Sequence, residues 1–159
     1  MLNMTPLERR IIAEMLVDAG QPAVDIARKV GATRQTVSKK IHHFEDEGLI
    51  GGLFARIDPG KLGLQERAFI FIQEDPEMKV RSKIEAKINA LPQVARFYRL
   101  FGRYSGILEV LTKDQEELSA LVKEIHEFEG IRDTETFIVH SSVKDRLQET
   151  LLHALDSTS

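Results

Sequence analysis

Residues 23–44, AVDIARKVGATRQTVSKKIHHF, decide the fold of the N-terminal region. Apolar residues recur three and four positions apart on either side of Gly31, a spacing typical of two amphipathic helices. Because glycine has no Cβ, Gly31 tolerates the left-handed backbone that ends a helix at a tight corner. The buried stripes predicted from this spacing are Ile26, Ala27 and Val30, followed by Val37, Ile41 and Phe44. The stretch therefore predicts a helix-turn-helix.

The second of these helices carries a concentration of positive charge. Thr33 can cap its start, because a threonine hydroxyl accepts hydrogen bonds from the free N–H groups of a first helical turn. Five basic residues and one acid lie within residues 23–44, a local charge of +4 in a chain whose net charge is −3. Such a local concentration favours binding to the phosphates of nucleic acid.

The face of this helix opposite its apolar stripe is free of acids until the last turn. Its side chains can all hydrogen-bond to base edges or phosphates, so the sequence predicts contact with double-stranded DNA. The predicted DNA-binding residues are Arg34, Gln35, Thr36, Ser38, Lys39, Lys40 and His42. Of these, Arg34 and Lys40 are expected to contact phosphates. The alternative is an ordinary solvated helix face, which would usually mix Glu and Asp among the bases.

Helix-capping and turn residues along the chain predict the domain organisation. Thr5-Pro6-Leu7-Glu8 is a capping box with proline at the first helical position. Residues 49–57 are predicted as a linking strand, and Asp58-Pro59-Gly60 as a turn. We expect a helix-turn-helix domain at 1–52, a linking strand and hinge at 53–63, and a second domain at 64–159.

The second domain alternates strands and helices in the order βαββαβ. Strands are predicted at residues 67–73, 94–101, 107–112 and 134–140, helices at 77–91 and 116–128, and a C-terminal helix at 143–155. This order is that of the ferredoxin-like fold, with both helices on one face of an antiparallel sheet, so the fold class is α+β. Ile107 and Leu111 alternate with Leu108 and Val110, which gives both sheet faces apolar side chains. The sequence therefore predicts a homodimer.

Taken together, these features resemble the leucine-responsive and asparagine-regulator (Lrp/AsnC) family of transcriptional regulators, with a winged-type helix-turn-helix before the ferredoxin-like domain. The resemblance covers essentially the whole chain. The motifs that carry it are Gly31-Ala32-Thr33, Thr36-Val37, the run from Phe44 to Gly52, Asp58-Pro59, Leu62-Gly63, Gly102-Arg103-Tyr104, Gly130-Ile131, Thr134-Glu135-Thr136 and Val143-Lys144.

The resemblance implies a DNA-binding regulator built from dimers, which often assemble into tetramers or octamers. It also implies that the second domain binds an amino-acid effector at a subunit interface. The effector residues that it implies are Gly102, Tyr104, Ser105, Gly106, Thr134 and Thr136. Ser105 departs from the family, which commonly has Asp there, so recognition of an α-amino group is expected to be weaker or altered. Thr134 and Thr136 are equally explained as ordinary strand formers.

Other chemistry finds little support in the residues. Zero cysteines exclude disulfides and thiolate metal sites, and no catalytic residue, metal site or cofactor is predicted. The start lacks the apolar core of a signal peptide and no run could span a bilayer, so we expect a cytoplasmic protein without a membrane partner. The second functional hypothesis is an enzyme of the same architecture, the siroheme-decarboxylase subunit, whose DNA-reading residues are lost. The third is a metabolite-sensing or structural oligomer that binds DNA only non-specifically.

Overall fold

A computed structural model describes residues 4–156, which form two compact units. One unit joins the chain up to Arg56 with the chain from Val143 onward, and the other is Ile57–Ser142. None of the helices in the described range is long and apolar enough to cross a membrane.

The first unit is helical. Helix α1 is Pro6–Val17, α2 is Ala23–Val30 and α3 is Arg34–Asp46. The predicted capping box is present, since the Thr5 hydroxyl accepts from the backbone N–H of Glu8 and the Glu8 carboxylate accepts from the backbone N–H of Thr5. The apolar stripes of the three helices meet in one core made of Ile11, Met15, Ile26, Ala27, Val30, Val37 and Phe44.

The second unit contains the predicted βαββαβ order. Its elements are β1 (Glu66–Glu74), α4 (Met78–Asn89), β2 (Val94–Arg99), β3 (Gly106–Thr112), α5 (Gln115–His126) and β4 (Ile131–Ile138). The four strands form one antiparallel sheet in the order β2-β3-β1-β4. Strand β4 begins three residues earlier than predicted because the chain turns at Gly130, whose φ is 95°.

One face of this sheet is covered and the other is open. Buried side chains of α4 and α5 pack on the covered face, against Ala68, Ile70, Ile72, Leu108 and Val110. The open face carries the alternate residues of the strands, whose apolar members are Phe69, Phe71, Tyr98, Ile107, Leu111 and Phe137. The prediction of apolar side chains on both faces is therefore confirmed.

The predicted linking strand is wrong. Residues 51–57 have no regular secondary structure in the described chain, and all of them are exposed. A strand requires a neighbour for its N–H and C=O groups, and no backbone hydrogen bond pairs this segment with another strand of the described chain. The turn prediction holds, because residues Pro59–Leu62 form a short 3₁₀ helix capped by Asp58.

The C-terminal helix also departs from the expected domain ranges. Helix α6, Leu147–Asp156, belongs to the compact unit that contains α1 rather than to the unit that contains the sheet. There Arg9 donates a hydrogen bond of 3.0 Å to the carbonyl oxygen of Leu155. Helix α6 contacts α1, although none of its residues is buried, and periodicity within α6 does not reveal this choice of partner.

Candidate nucleic-acid interface and ligand corner

The corner between α2 and α3 has the glycine conformation and the threonine cap that the sequence predicts. Gly31 adopts the left-handed conformation, with φ 68° and ψ 41°. Two residues later the Thr33 hydroxyl accepts a hydrogen bond from the backbone N–H of Thr36 at 3.1 Å. The hydroxyl groups of Thr33 and Thr36 also hydrogen-bond to each other at 2.9 Å. The side chain of Thr36, predicted to contact DNA, is therefore engaged at the helix start.

The exposed face of α3 presents free cations and hydrogen-bonding groups. Arg34, Gln35, Lys39 and His42 are exposed and Ser38 is half-buried. Within residues 4–156, neither Arg34 nor Lys39 takes part in an ion pair, so both positive charges are available to an external anion. Together with Lys40, His43 and Asp46, these side chains line one shallow concave surface.

The other cations of the motif have internal partners. Arg28 pairs with Asp25 at 3.2 Å, and the Lys29 ammonium lies 2.7 Å from a carboxylate oxygen of Glu14. Lys40, predicted to contact phosphate, donates to Glu8 Oε1 at 2.7 Å. The charge that sequence counting assigns to the whole motif is therefore concentrated at Arg34 and Lys39.

Acids enter this surface only in the last turn of α3. Asp46 lies on it, and His42 Nδ1 is 3.0 Å from a carboxylate oxygen of Glu45. The N-terminal half of the helix is therefore the half that suits a polyanion.

Glu8 ties this surface to the first helix. Its Oε2 accepts from the backbone N–H and the hydroxyl of Thr5, at 2.7 and 2.8 Å, while Oε1 accepts from Lys40. These hydrogen bonds, first that from Lys40 and then those from Thr5, lower the pKa of Glu8 from its usual 4.5 to about 2. The group is thus an anion throughout the neutral range.

At the corner between β2 and β3, the side chain of Ser105 hydrogen-bonds to the backbone of β1. Its Oγ donates to the carbonyl oxygen of Ile72 and accepts from the backbone N–H of Glu74, both at 3.1 Å. The next residue, Gly106, is buried, and a Cβ there would lie 2.7 Å from the Phe97 ring. Gly102, by contrast, has open space around it and a φ of 148°. Ser105 and Gly106 therefore shape the corner from inside.

Tyr104 belongs to the open face of the sheet. Its hydroxyl hydrogen-bonds to the carboxylate of Glu135, an interaction that raises the pKa of Tyr104 above its ordinary value. Its ring lies 5.2 Å from that of Phe71, which meets Phe137 edge-on at 5.6 Å. Sequence reasoning missed Glu135, Phe71 and Phe137, although period-two alternation along β4 points Glu135 and Phe137 to one face.

The two threonines of β4 lie on the opposite side of the sheet. Thr134 and Thr136 pair with Ile72 and Ile70, whose side chains face the helices. The Thr134 hydroxyl is 3.2 Å from Nδ1 of His126, and the Thr136 hydroxyl is buried without a hydrogen-bond partner among the described residues. The structure therefore does not bring the six predicted effector residues to one surface of this unit, and their role stays a prediction.

The open face also contains a cluster of paired charges, one carboxylate between two guanidinium groups, that the sequence did not indicate. Glu109 lies near its centre, is only 6% exposed, and accepts from both Arg67 and Arg96. Its two arginines come from the strands on either side, so only the register of the sheet brings the three residues together.

Comparison with known proteins identifies both units. A sequence model described as the Lrp/AsnC ligand-binding domain matches residues 67–149, and one described as winged helix-turn-helix DNA-binding matches residues 4–50. This chain belongs to the Lrp/AsnC family. The prediction from its sequence is confirmed, including the winged-type helix-turn-helix and the ferredoxin-like domain.

Individual relatives agree with this assignment. The proline dehydrogenase transcriptional activator of Rhodobacter capsulatus is 30% identical over 74% of this chain and 77% of its own length. The structure of AsnC from E. coli has a TM-score of 0.82 and 25% identity, over 91% of this chain and 97% of that one. A Neisseria meningitidis regulator, solved as a complex with L-Met, has a TM-score of 0.89 at 18% identity, over 96% and 99% of the two chains, and shows the shared fold.

Proposed function

We propose that this Lrp/AsnC protein is a sequence-specific regulator of transcription in the cytoplasm, and that α3 is its DNA-reading helix. The observation that carries the proposal is the exposed face of α3, where Arg34 and Lys39 have no ion pair with another described residue and Gln35 is exposed beside them. In the usual docking of this motif, the N-terminal half of the second helix enters the major groove. That half of α3 is the half without acids.

The roles of the side chains follow from their positions. Gln35, Ser38, Lys39 and His42 are proposed to reach base edges in the major groove, whose hydrogen-bonding groups distinguish the four base pairs. Arg34, at the helix start, is proposed to bind phosphate. Thr36 is proposed to stabilise the start of α3 through its hydrogen bond to Thr33. Lys40 is proposed to fix α3 through its ion pair with Glu8.

The open face of the sheet is proposed as the surface that forms a homodimer, from which tetramers or octamers can assemble. The exposure of two aromatic side chains on this face supports the proposal: Phe137 is 51% exposed and Tyr98 is 54% exposed. Two copies would place two helix-turn-helix units on one duplex. The bound site would then contain two related half-sites, separated by about one helical turn or a multiple of it.

We propose further that the second domain senses an amino acid or a similar small metabolite. The relative from Neisseria meningitidis, crystallised with L-Met, supports this ligand class. On the open face, Tyr104 and Glu135 supply a hydroxyl and a carboxylate close to the β2–β3 corner, and a carboxylate is a natural partner for an ammonium group. Calorimetric titration with the twenty amino acids, L-Met first, tests this part.

A non-enzymatic role is favoured over the siroheme-decarboxylase alternative. The named relatives are transcriptional regulators, and the basic face of α3 has a direct use in DNA binding. Mixing the purified protein with an iron tetrapyrrole checks the alternative, because a stable coloured complex that loses carboxyl groups would contradict our proposal.

Selection of bound sequences from a random duplex pool tests the central claim. We expect enrichment of a pseudo-palindromic site, and binding to that site should weaken steeply with salt. A protein that enriches no sequence, or binds every duplex equally, would overturn sequence-specific regulation.

A further inference from the structure

Lys40 differs from the other basic residues of α3 in what its ammonium group contacts. The Nζ atom lies 2.7 Å from Glu8 Oε1, and the remaining oxygen of that carboxylate is occupied by Thr5. The side chain of Glu8 is 11% exposed and that of Lys40 is 36% exposed. The pair is therefore a partly buried ion pair between the first helix and the third.

The position of Lys40 on α3 fits this contact. At about 100° per residue, Lys40 stands about 60° from the core residue Val37, whereas Lys39 stands about 160° from it. Val37 shares its core cluster with Ile11 of α1. The ion pair thus lies along the edge of the packing that joins the two helices, and it bears on the orientation of α3.

Charge balance argues against a phosphate contact. A phosphate contact contributes to the salt dependence of binding because a free cation displaces counterions from DNA. Lys40 already faces an anion, and the pair is neutral as a whole. Removing one partner of such a pair leaves the other charge uncompensated in a partly desolvated site, which is costly.

We propose that Lys40 and Glu8 are positioning residues that hold α3 at the angle needed to read DNA, and that Lys40 makes no phosphate contact. This inference rests on the proposed function, since it concerns how α3 presents its base-contacting side chains. It assigns specificity to a pair that never touches the DNA.

Three substitutions in the full-length protein separate positioning from phosphate binding. Lys40→Met keeps the aliphatic stem and removes the charge, while Glu8→Gln keeps an acceptor for the capping box. Arg34→Met is the matched control, because Arg34 is exposed on the same helix, has no ion pair within residues 4–156 and is the residue proposed to bind phosphate. The readouts are the affinity for the selected site, the affinity for a scrambled duplex of equal length, and the slope of each with salt.

If the pair positions α3, Lys40→Met and Glu8→Gln should each lower the ratio of selected-site to scrambled affinity by about tenfold, the loss of one charge-assisted hydrogen bond. Neither should change the salt slope. Their effects should not add in the double variant, and Lys40→Arg should restore the ratio. Arg34→Met should instead lower the slope by about one for each bound subunit. Circular dichroism at the assay temperature confirms that each variant is folded.

The sign of the Glu8→Gln effect is decisive. If Lys40 were a phosphate contact held back by Glu8, removing the carboxylate would free the cation and tighten binding to both duplexes. That result, or a lowered salt slope in Lys40→Met, would overturn the inference. So would a wild-type ratio in Lys40→Met, because the pair would then have no part in recognition. A wild-type protein that binds no duplex would instead overturn the proposed function itself.

Discussion

The exposed face of α3 and the open face of the sheet are two surfaces of opposite character. On α3 the charges of Arg34 and Lys39 have no ion-pair partner among the described residues, and the neighbouring side chains are polar. On the sheet Arg67 and Arg96 both pair with Glu109, and the surrounding side chains are largely aromatic and aliphatic.

This difference indicates which kind of partner each surface suits. Unpaired cations gain from a polyanion and from the release of its counterions, so binding there should depend strongly on salt. An apolar face whose charged groups are already paired gains from the removal of apolar area from water, and should depend weakly on salt. We therefore propose DNA as the partner of the first surface and a second copy of the chain as the partner of the second.

The largest effect is expected from a charge placed on the open face. Phe137→Asp should raise the dissociation constant of the dimer by about a hundredfold or more, because it puts an unpaired charge into an apolar contact centre. Sedimentation equilibrium measures the constant. Met78→Asp is the matched control, since Met78 is 81% exposed at the start of α4, an element of the covered face. Equal association of Phe137→Asp and wild type would place the interface elsewhere.

A second variant removes the two free cations of α3. Arg34→Ala with Lys39→Ala should weaken DNA binding by about ten- to hundredfold near physiological salt. It should lower the salt slope by about one for each bound subunit, because Arg34 is the proposed phosphate contact of the two. Dimer dissociation should not change. Lys79→Ala with Lys83→Ala, at two exposed positions of α4, controls for the loss of two positive charges. An unchanged salt slope in the double variant would contradict the proposal that this face of α3 binds DNA.

Acid should weaken the first unit through Glu8. Because the pKa of this carboxyl is lowered from 4.5 to about 2 in the fold, its contribution is fully present above pH 4.5 and is lost as the pH falls towards 2. We expect a contribution of about 1–2 kcal/mol, since Lys40 is partly screened by solvent. Denaturant unfolding at a series of pH values should show a shallower acid loss in Glu8→Gln. Glu124→Gln on α5 serves as control and should keep the wild-type profile.

The smallest effect is expected at Tyr104. Its hydrogen bond to Glu135 raises its pKa, so it should ionise at higher pH than an ordinary tyrosine. Ultraviolet absorbance follows both tyrosines of the chain, and Tyr98→Phe isolates Tyr104. Adding Glu135→Gln should lower the pKa of Tyr104. If Glu135→Gln leaves this pKa unchanged, the hydroxyl has another acceptor, and the polar part of the open face needs reassignment.

Local patterns determined much of this protein because their causes lie within a few residues. The period of apolar positions, the capping box at Thr5, the cap at Thr33 and the left-handed Gly31 depend on neighbours one to four positions away. Each is found in the structure as predicted. The βαββαβ order and the two apolar sheet faces follow from the same local periodicity, and the family follows from the order of short motifs.

Tertiary structure alone decided which groups meet across longer separations. Lys40 is 32 residues from Glu8, so no local pattern reveals the ion pair on which we base the proposal that Lys40 makes no phosphate contact. Strand register, which no single strand encodes, sets Tyr104 beside Glu135 and turns Thr134 and Thr136 to the helix side. The same holds for α6, since its own sequence does not specify that it joins the unit of α1 rather than that of the sheet. Local chemistry specifies an element and its polarity, whereas the partner of a charged or apolar side chain depends on the packing of the whole unit.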